Sequence, residues 1–187
     1  LHHRAAAVFD QIKASGVAGL EQFDTLSLGM TGDLEAAVAA GAKADARRTV
    51  RDFLGRARGT GPKLWVRINP LAGRLGQEDA DAVVDGAPAG LVLPKSTPAE
   101  IRRLVERLDL LEGQSGARPG GVRILPIATE TADAIFQLQG YAPFAARLAG
   151  LTWGAEDLSA ALGAMTARDE AGRFTPVYEL ARALTLL

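Results

Sequence analysis

Five short apolar runs alternate with longer segments of helical periodicity, and this alternation limits the folds open to the chain more than any other feature. The runs span residues 25–29, 64–69, 90–94, 123–128 and 148–153. Segments 4–15, 33–55, 97–112, 131–138 and 176–186 place apolar residues three or four positions apart, as amphipathic helices do. Strands that alternate with helices in this way predict an α/β fold with a parallel sheet, in which the run at 25–29 lies beside the run at 64–69.

The number of runs predicts an incomplete barrel. A closed barrel of eight βα units needs eight strands and usually about 250 residues. This chain has 187 residues and five runs. We therefore expect a single domain over residues 1–187, folded as a partial or oligomer-completed TIM-type (β/α) barrel, with a homo-oligomer as the expected assembly.

Composition excludes several classes of function. The chain is 48% hydrophobic and 23% charged with a net charge of −1, which gives no reason to expect nucleic acid as a partner. No apolar run approaches the roughly 18 residues that span a bilayer, and no signal peptide is recognisable, so we expect a cytoplasmic protein with no membrane partner. The chain has no cysteine and only two histidines, so its chemistry must rest on carboxylates, arginine, lysine and a hard metal ion.

Charged and polar residues lie at the end of successive apolar runs or just after it. They are Arg67 and Asn69, then Lys95, then Glu130, and finally Glu156 and Asp157. The carboxyl ends of parallel strands meet at one edge of the sheet, and α/β barrels build their active sites there. Each residue taken singly could instead be a helix cap or a solvated turn residue. As a set they favour a functional site.

The residue types at these strand ends suit one chemistry. Glu130 and Asp157 could share a small cation that prefers oxygen ligands and keeps several waters, which describes magnesium, with manganese as the nearest alternative. Such an ion could bind a substrate carboxylate and carbonyl, and stabilise the enolate formed when a carbon–carbon bond breaks. The planar guanidinium of Arg67 suits bidentate recognition of the substrate oxygens.

Four ordered motifs resemble those of the citrate lyase beta subunit-like (HpcH/HpaI aldolase/citrate lyase) family over residues 33–187. They are VRINPL at 66–71, LVLPK at 91–95, LPIATETA at 125–132 and WGAEDL at 153–158. The resemblance implies a (β/α)-barrel lyase that cleaves or forms 3-hydroxy-acyl thioesters such as citryl, citramalyl or malyl coenzyme A. The substrate is then an acyl-CoA or a 2-oxo acid, cleaved by a retro-Claisen or aldol reaction.

The same resemblance assigns roles to individual residues. It implies that Glu130 and Asp157 are the magnesium ligands and that Arg67 binds substrate and takes part in catalysis. Lys95 is a second catalytic candidate within the pocket. Substrate contacts are also expected from Asn69 and from the amides of Gly154 and Ala155. Further acidic candidates are Asp33, Glu35 and Glu156.

The first 42 residues resemble a different barrel family, the pyridoxal-phosphate homeostasis proteins, through the run FDTLSLGMTGDLEAAV at 23–38. The turn at 27–32 would make a phosphate cup from backbone N–H groups, hydroxyls and a helix N-terminus. Residues 33–38 also match the lyase family, with Ala36 in place of its second acid, so we expect a chimera joined at an equivalent βα unit. The lysine that binds pyridoxal phosphate in that family has no counterpart, and this cofactor is not expected.

Two other functions are open alongside the lyase. One is a catalytically silent chimeric or truncated scaffold that retains the metal ligands, because the family's first strand and its last two strands have no counterpart here. The other is a phosphate-binding module at residues 27–32. If the lyase site is present, Asp33 and Glu35 should lie near the metal ligands.

Overall fold

The computed structural model describes residues 25–29, 40–59 and 61–187. Its sheet has four parallel strands in sequence order. They are β1 (Thr25–Gly29), β2 (Lys63–Arg67), β3 (Gly90–Leu93) and β4 (Arg123–Pro126). β1 pairs with β2 along its whole length, so the predicted neighbourhood of these two strands is confirmed. All the strand C-termini therefore lie at one edge, which we call the carboxyl edge.

In the described part of the chain, six α-helices follow or lie between the strands. They are α1 (Ala40–Ala57), α2 (Arg74–Val83), α3 (Pro98–Ser115), α4 (Ala132–Ile135), α5 (Glu156–Leu162) and α6 (Pro176–Leu186). Two 3₁₀ segments, Val84–Gly86 and Leu138–Phe144, follow α2 and α4. The predicted helix at 4–15 lies outside the described residues, and the helix expected at 131–138 divides into α4 and a 3₁₀ segment. α2 and α5 were not predicted.

Helix α3 shows how local sequence sets the bounds of an element. The Thr97 hydroxyl accepts a hydrogen bond from the N–H of Glu100, and the Glu100 carboxylate accepts one from the N–H of Thr97, which forms a capping box. Pro98 occupies the first turn, where its missing donor costs nothing. The helix ends at Gly116, whose φ of 66° is in the left-handed region that glycine adopts easily.

The fifth apolar run is not a continuous strand. It runs parallel to β4, but it pairs only through the isolated bridges Ile124↔Leu148 and Ile127↔Thr152. The N–H of Ala149 donates to the carbonyl oxygen of Ile124, and the N–H of Thr152 donates to that of Pro126. The two donors are three residues apart but the two acceptors only two, so the run contains a bulge. Pro126 has no N–H to donate on that side, and the ladder is interrupted beside it.

The helices α1, α2 and α3 cover one face of the sheet. The buried residues on this face alternate along the strands, for example Leu64 and Val66 in β2, and they pack against helix residues such as Leu54 and Leu104. β3 is buried throughout, as a central parallel strand should be. On the opposite face Trp65 lies over Gly90, where an added Cβ would come within 2.3 Å of the indole ring.

A second apolar cluster joins the three C-terminal helices α4, α5 and α6. Leu158 of α5 and Tyr178 of α6 are its buried centre, with Ile135 and Ala181 beside them. The cluster thus fixes α5, whose first turn carries acidic residues beside the carboxyl edge. Among the described residues no helix is both long enough and apolar enough to cross a membrane.

Candidate functional site

Four charged side chains from different βα units meet at the carboxyl edge. Arg67 ends β2, and its Nη2 lies 3.9 Å from Oε1 of Glu130, which follows β4. Lys95 follows β3, and its backbone N–H donates to Oε2 of Glu130 at 2.5 Å. The ammonium of Lys95 lies 3.3 Å from Oδ1 of Asp157, in the first turn of α5. The structure therefore brings together the four residues that the sequence placed at the centre of the site.

Glu130 is the buried member of this group, with 6% of its side chain exposed. Burial raises the pKa of the Glu130 carboxyl, and the hydrogen bond from the Lys95 N–H opposes this. The nearby Asp157 charge raises the pKa further, while Arg67 and Lys95 lower it. The site thus contains two interacting carboxylates and two cationic side chains, with one carboxylate shielded from water and the other accessible.

The backbone around Lys95 is held in an unusual conformation. Its φ of 49° is in the left-handed region, which costs free energy for a residue with a side chain. The next residue, Ser96, is fully buried, and the hydroxyl of Tyr141 donates to its carbonyl oxygen at 2.8 Å. Burial raises the pKa of Tyr141 to about 12, so this hydroxyl acts as a donor that fixes the turn and not as an acid near neutrality.

The side-chain amide nitrogen of Asn69 bonds to a carboxylate of α2, and its expected contact with a substrate stays a prediction. Its side-chain amide donates to Oδ2 of Asp79 at 2.6 Å, and its backbone N–H donates to the same oxygen at 2.9 Å. Asp79 is 2% exposed and also pairs with Nε of Arg47 at 2.7 Å. The amide nitrogen of Asn69 is therefore committed inside the protein, where it fixes the chain just beyond Arg67.

Close packing supports this turn. An added Cβ at Gly76 would come within 2.5 Å of the carbonyl oxygens of Asn69 and Pro70, so α2 can approach the turn only because that position is glycine. Sequence reasoning missed Asp79, because an aspartate inside a polar helix normally indicates a solvated face. Gly76, three residues earlier in the same helix, was the feature of the sequence that indicated a close approach of α2 to another part of the backbone.

Gly154 has a different role from the one expected. Its N–H donates to the hydroxyl of Thr129 at 3.0 Å, so this amide is used within the protein and is not offered to a substrate. An added Cβ at Gly154 would lie 2.8 Å from Cγ of Glu130 and 3.3 Å from its Oε1. Gly154 thus leaves the space in which the Glu130 side chain lies.

The remaining candidates lie around this centre. Ala155 is the N-cap of α5, and a donor role for its amide stays a prediction. Glu156 is exposed and lines a separate cavity of about 280 Å³ that also contacts Arg168 and Phe174. Asp33 and Glu35 lie outside the described residues, as do residues 30–32 of the turn at 27–32.

The carboxylates of Glu130 and Asp157 fit a hard divalent cation whose remaining ligands are water molecules or oxygen atoms of a bound molecule. Within the described residues no three acidic or histidine side chains form a ready-made metal cage. The charge of Asp157 raises the pKa of Glu130, so the two carboxylates lie near each other, and such a pair suits a small ion that keeps several waters and accepts oxygen atoms from a bound molecule.

Comparisons with known proteins agree with this geometry. The family described as HpcH/HpaI aldolase/citrate lyase matches residues 12–183. A separate family origin for residues 1–42, expected from the sequence, is not supported, because the match to this one family begins at residue 12. No curated protein matches the chain at a significant level.

Three solved structures are similar to the chain. RipC from Yersinia pestis is 27% identical, with a TM-score of 0.60 over 87% of this chain and 63% of its own. The citrate lyase beta subunit from Mycobacterium tuberculosis, complexed with oxaloacetate and magnesium, is 26% identical, with a TM-score of 0.61 over 97% of this chain and 69% of its own.

The third is the CitE protein from Mycobacterium tuberculosis in complex with magnesium, acetoacetate and coenzyme A. It is 29% identical, with a TM-score of 0.60 over 87% of this chain and 52% of its own. The chain therefore spans between 52% and 69% of the length of these three structures. The match of one family across most of the chain establishes that the protein belongs to the HpcH/HpaI aldolase/citrate lyase family.

Proposed function

We propose that the carboxyl edge of this protein is the site of a magnesium-dependent carbon–carbon lyase. The observation that carries the proposal is the convergence of Arg67, Lys95, Glu130 and Asp157 from four βα units. Family membership supports the reaction type. The small oxygen-rich acids and the coenzyme A in the similar structures support a 2-oxo acid or a 3-hydroxy-acyl-CoA thioester as the substrate class.

Glu130 and Asp157 would hold the magnesium ion. Their carboxylates are the hard oxygen donors that this ion prefers, and they lie near enough for the charge of Asp157 to raise the pKa of Glu130. When bound, the ion supplies positive charge that stabilises negative charge developing on a substrate oxygen. The burial of Glu130 limits competition from water at that carboxylate and makes its interaction with a cation stronger than it would be in bulk solvent.

Arg67 and Lys95 would bind the acidic end of the substrate. Half of the Arg67 side chain and 48% of the Lys95 side chain are exposed, so both can reach a bound molecule while remaining beside the carboxylates. The fork of Arg67 suits a carboxylate through two parallel hydrogen bonds, which would orient the bond to be broken. The fixed Asn69 and Ser96 turns hold the backbone from which these two side chains extend.

The first test separates metal binding from turnover. Magnesium titrated calorimetrically into the wild-type protein should bind at one site, and binding should be lost in Glu130→Gln and in Asp157→Asn. Glu106→Gln is a matched control, because Glu106 is an exposed carboxylate on α3. Absence of magnesium binding by the wild type would remove the proposed site.

The second test concerns the reaction. Malyl-CoA, citramalyl-CoA or citryl-CoA incubated with the protein and magnesium should be cleaved to a free 2-oxo acid and acetyl-CoA, which chromatography separates. Magnesium binding without cleavage of any thioester, or of a free 3-hydroxy acid, would identify the silent scaffold as the correct alternative. The expected homo-oligomer stays a prediction, which light scattering of the purified protein would check.

A further inference from the structure

Lys95 contacts the two carboxylates of the site through two different groups. Its backbone N–H donates to Glu130, and its ammonium lies 3.3 Å from Asp157. The first contact depends on the left-handed backbone of the residue, which the buried Ser96 and Tyr141 hold in place. The second depends only on a flexible, half-exposed side chain. The backbone contact is therefore fixed, whereas the ammonium can change its partner.

The ammonium and a divalent cation need the same oxygen atoms. A metal ion held by Asp157 would neutralise the carboxylate that now attracts the Lys95 ammonium, and the positive ion would repel the ammonium at short range. The Glu130 carboxylate offers no substitute partner, because it is the second proposed ligand and its negative charge would be taken up by the same ion. The ammonium must then turn toward whatever anion lies nearest.

We propose that Lys95 is a positioning residue that exchanges between Asp157 and the acidic group of the substrate as the metal ion binds. This inference rests on the proposed function, since it assumes that Asp157 is a metal ligand. The exchange makes the ammonium compete with the metal in the absence of substrate, and cooperate with the metal once an anionic substrate is present. Metal and substrate binding are thereby coupled through one side chain.

Removing the ammonium alone tests the exchange. Lys95→Met keeps the length of the side chain and the backbone N–H that bonds to Glu130, but it removes the charge. Magnesium affinity measured by calorimetry without substrate should increase by roughly three- to tenfold, the scale of a partly exposed ion pair together with short-range repulsion. Oxaloacetate affinity at saturating magnesium should decrease by a similar factor.

The chain offers a matched control. Lys63→Met makes the same substitution at the first residue of β2, at the opposite end of the sheet. It removes the same charge, and it should leave both affinities unchanged. Lys95→Arg, which keeps the positive charge, should retain most of the wild-type behaviour. Opposite changes in the two affinities are not expected from structural damage, which would weaken both.

The outcomes separate this inference from the function on which it rests. If the wild type binds magnesium but Lys95→Met binds it equally well or more weakly, the exchange is wrong and the lyase site stands. If the wild type binds no magnesium, both fail. Should Lys95→Met prove unstable, Lys95→Gly also removes the ammonium and relieves the left-handed backbone, and it must give the same increase in magnesium affinity.

Discussion

Replacing Gly154 by alanine tests how closely the end of β4 packs against the loop before α5. The new Cβ would lie 2.8 Å from Cγ of Glu130 and 3.0 Å from Cγ2 of Ile127, both shorter than any ordinary contact between carbon atoms. Glu130 is 5% exposed and holds the Lys95 N–H, so its side chain cannot move away without breaking that bond. The methyl group must therefore displace the loop or the carboxylate.

The expected loss of stability follows from overpacking around the new methyl group. Inserting one methyl group into a well-packed region costs about 1–3 kcal/mol. For a protein of this length a loss of about 2 kcal/mol lowers the melting temperature by roughly 4–8 °C. Melting followed by circular dichroism would measure the shift, and calorimetry should show weaker magnesium binding in the same variant, because the displaced carboxylate is a proposed ligand.

A control and a second background make the test specific. Gly150→Ala is the same substitution four residues earlier, where an added Cβ meets nothing within 4 Å, and it should leave the melting temperature unchanged or slightly higher. In a Glu130→Ala background Cγ is gone, and the cost of Gly154→Ala should fall markedly. An equal cost in both backgrounds would refute the proposed contact.

Two other perturbations examine buried carboxylates. Asp79→Asn removes the buried charged partner of the largely shielded Arg47 guanidinium and should reduce the free energy of unfolding in urea by about 3 kcal/mol. Glu78→Gln alters the more exposed partner of the same arginine and should cost much less. Burial raises the pKa of Glu130 above its ordinary 4.5, so this carboxyl's contribution to stability is present below that value and is lost as pH rises through the raised pKa. Glu130→Gln should therefore be more stable than the wild type near neutrality without added metal, and its advantage should disappear in acid; equal stability at both pH values would contradict the burial argument.

The parallel sheet and the convergence at its carboxyl edge could be predicted from sequence because each depends on a regular pattern. Apolar runs separated by amphipathic segments have few arrangements other than βα units, and the pairing of 25–29 with β2 follows from that order. Arg67, Lys95 and Glu130 follow consecutive strands, so the same order places them together. These predictions needed no knowledge of contacts.

Elements with weak patterns could not be predicted. The buried face of α2 consists of Gly76, Asp79, Ala80 and Val83, so it contains little apolar periodicity. α5 has only seven residues and a single buried leucine, which is too short for a period to be recognised. The run at 148–153 resembled a strand because its residues are apolar, but the missing donor of Pro126 belongs to its neighbour and cannot be recognised from the run itself.

The hydrogen-bond partners of Asn69 and Gly154 could not be predicted for a related reason. A polar residue at a strand end can face either the bound molecule or the surrounding helices, and its position along the chain does not distinguish the two. Asn69 faces α2 because Asp79 is there to accept its hydrogen bonds, and the Gly154 amide faces Thr129. Each partner lies in a different segment, so only the folded arrangement identifies it.

Asp79 and Tyr141 show how the site combines a fixed backbone with charged side chains that can change partners. The turns that carry the charged side chains are fixed by contacts that do not involve those charges: Asp79 holds the turn after Arg67, and Tyr141 holds the turn after Lys95. Arg67 and Lys95 are then half-exposed side chains on a fixed backbone, able to change partners without moving it. Variants of the supporting residues should consequently change stability and affinity together, whereas variants of Arg67 or Lys95 should change affinity with little loss of stability.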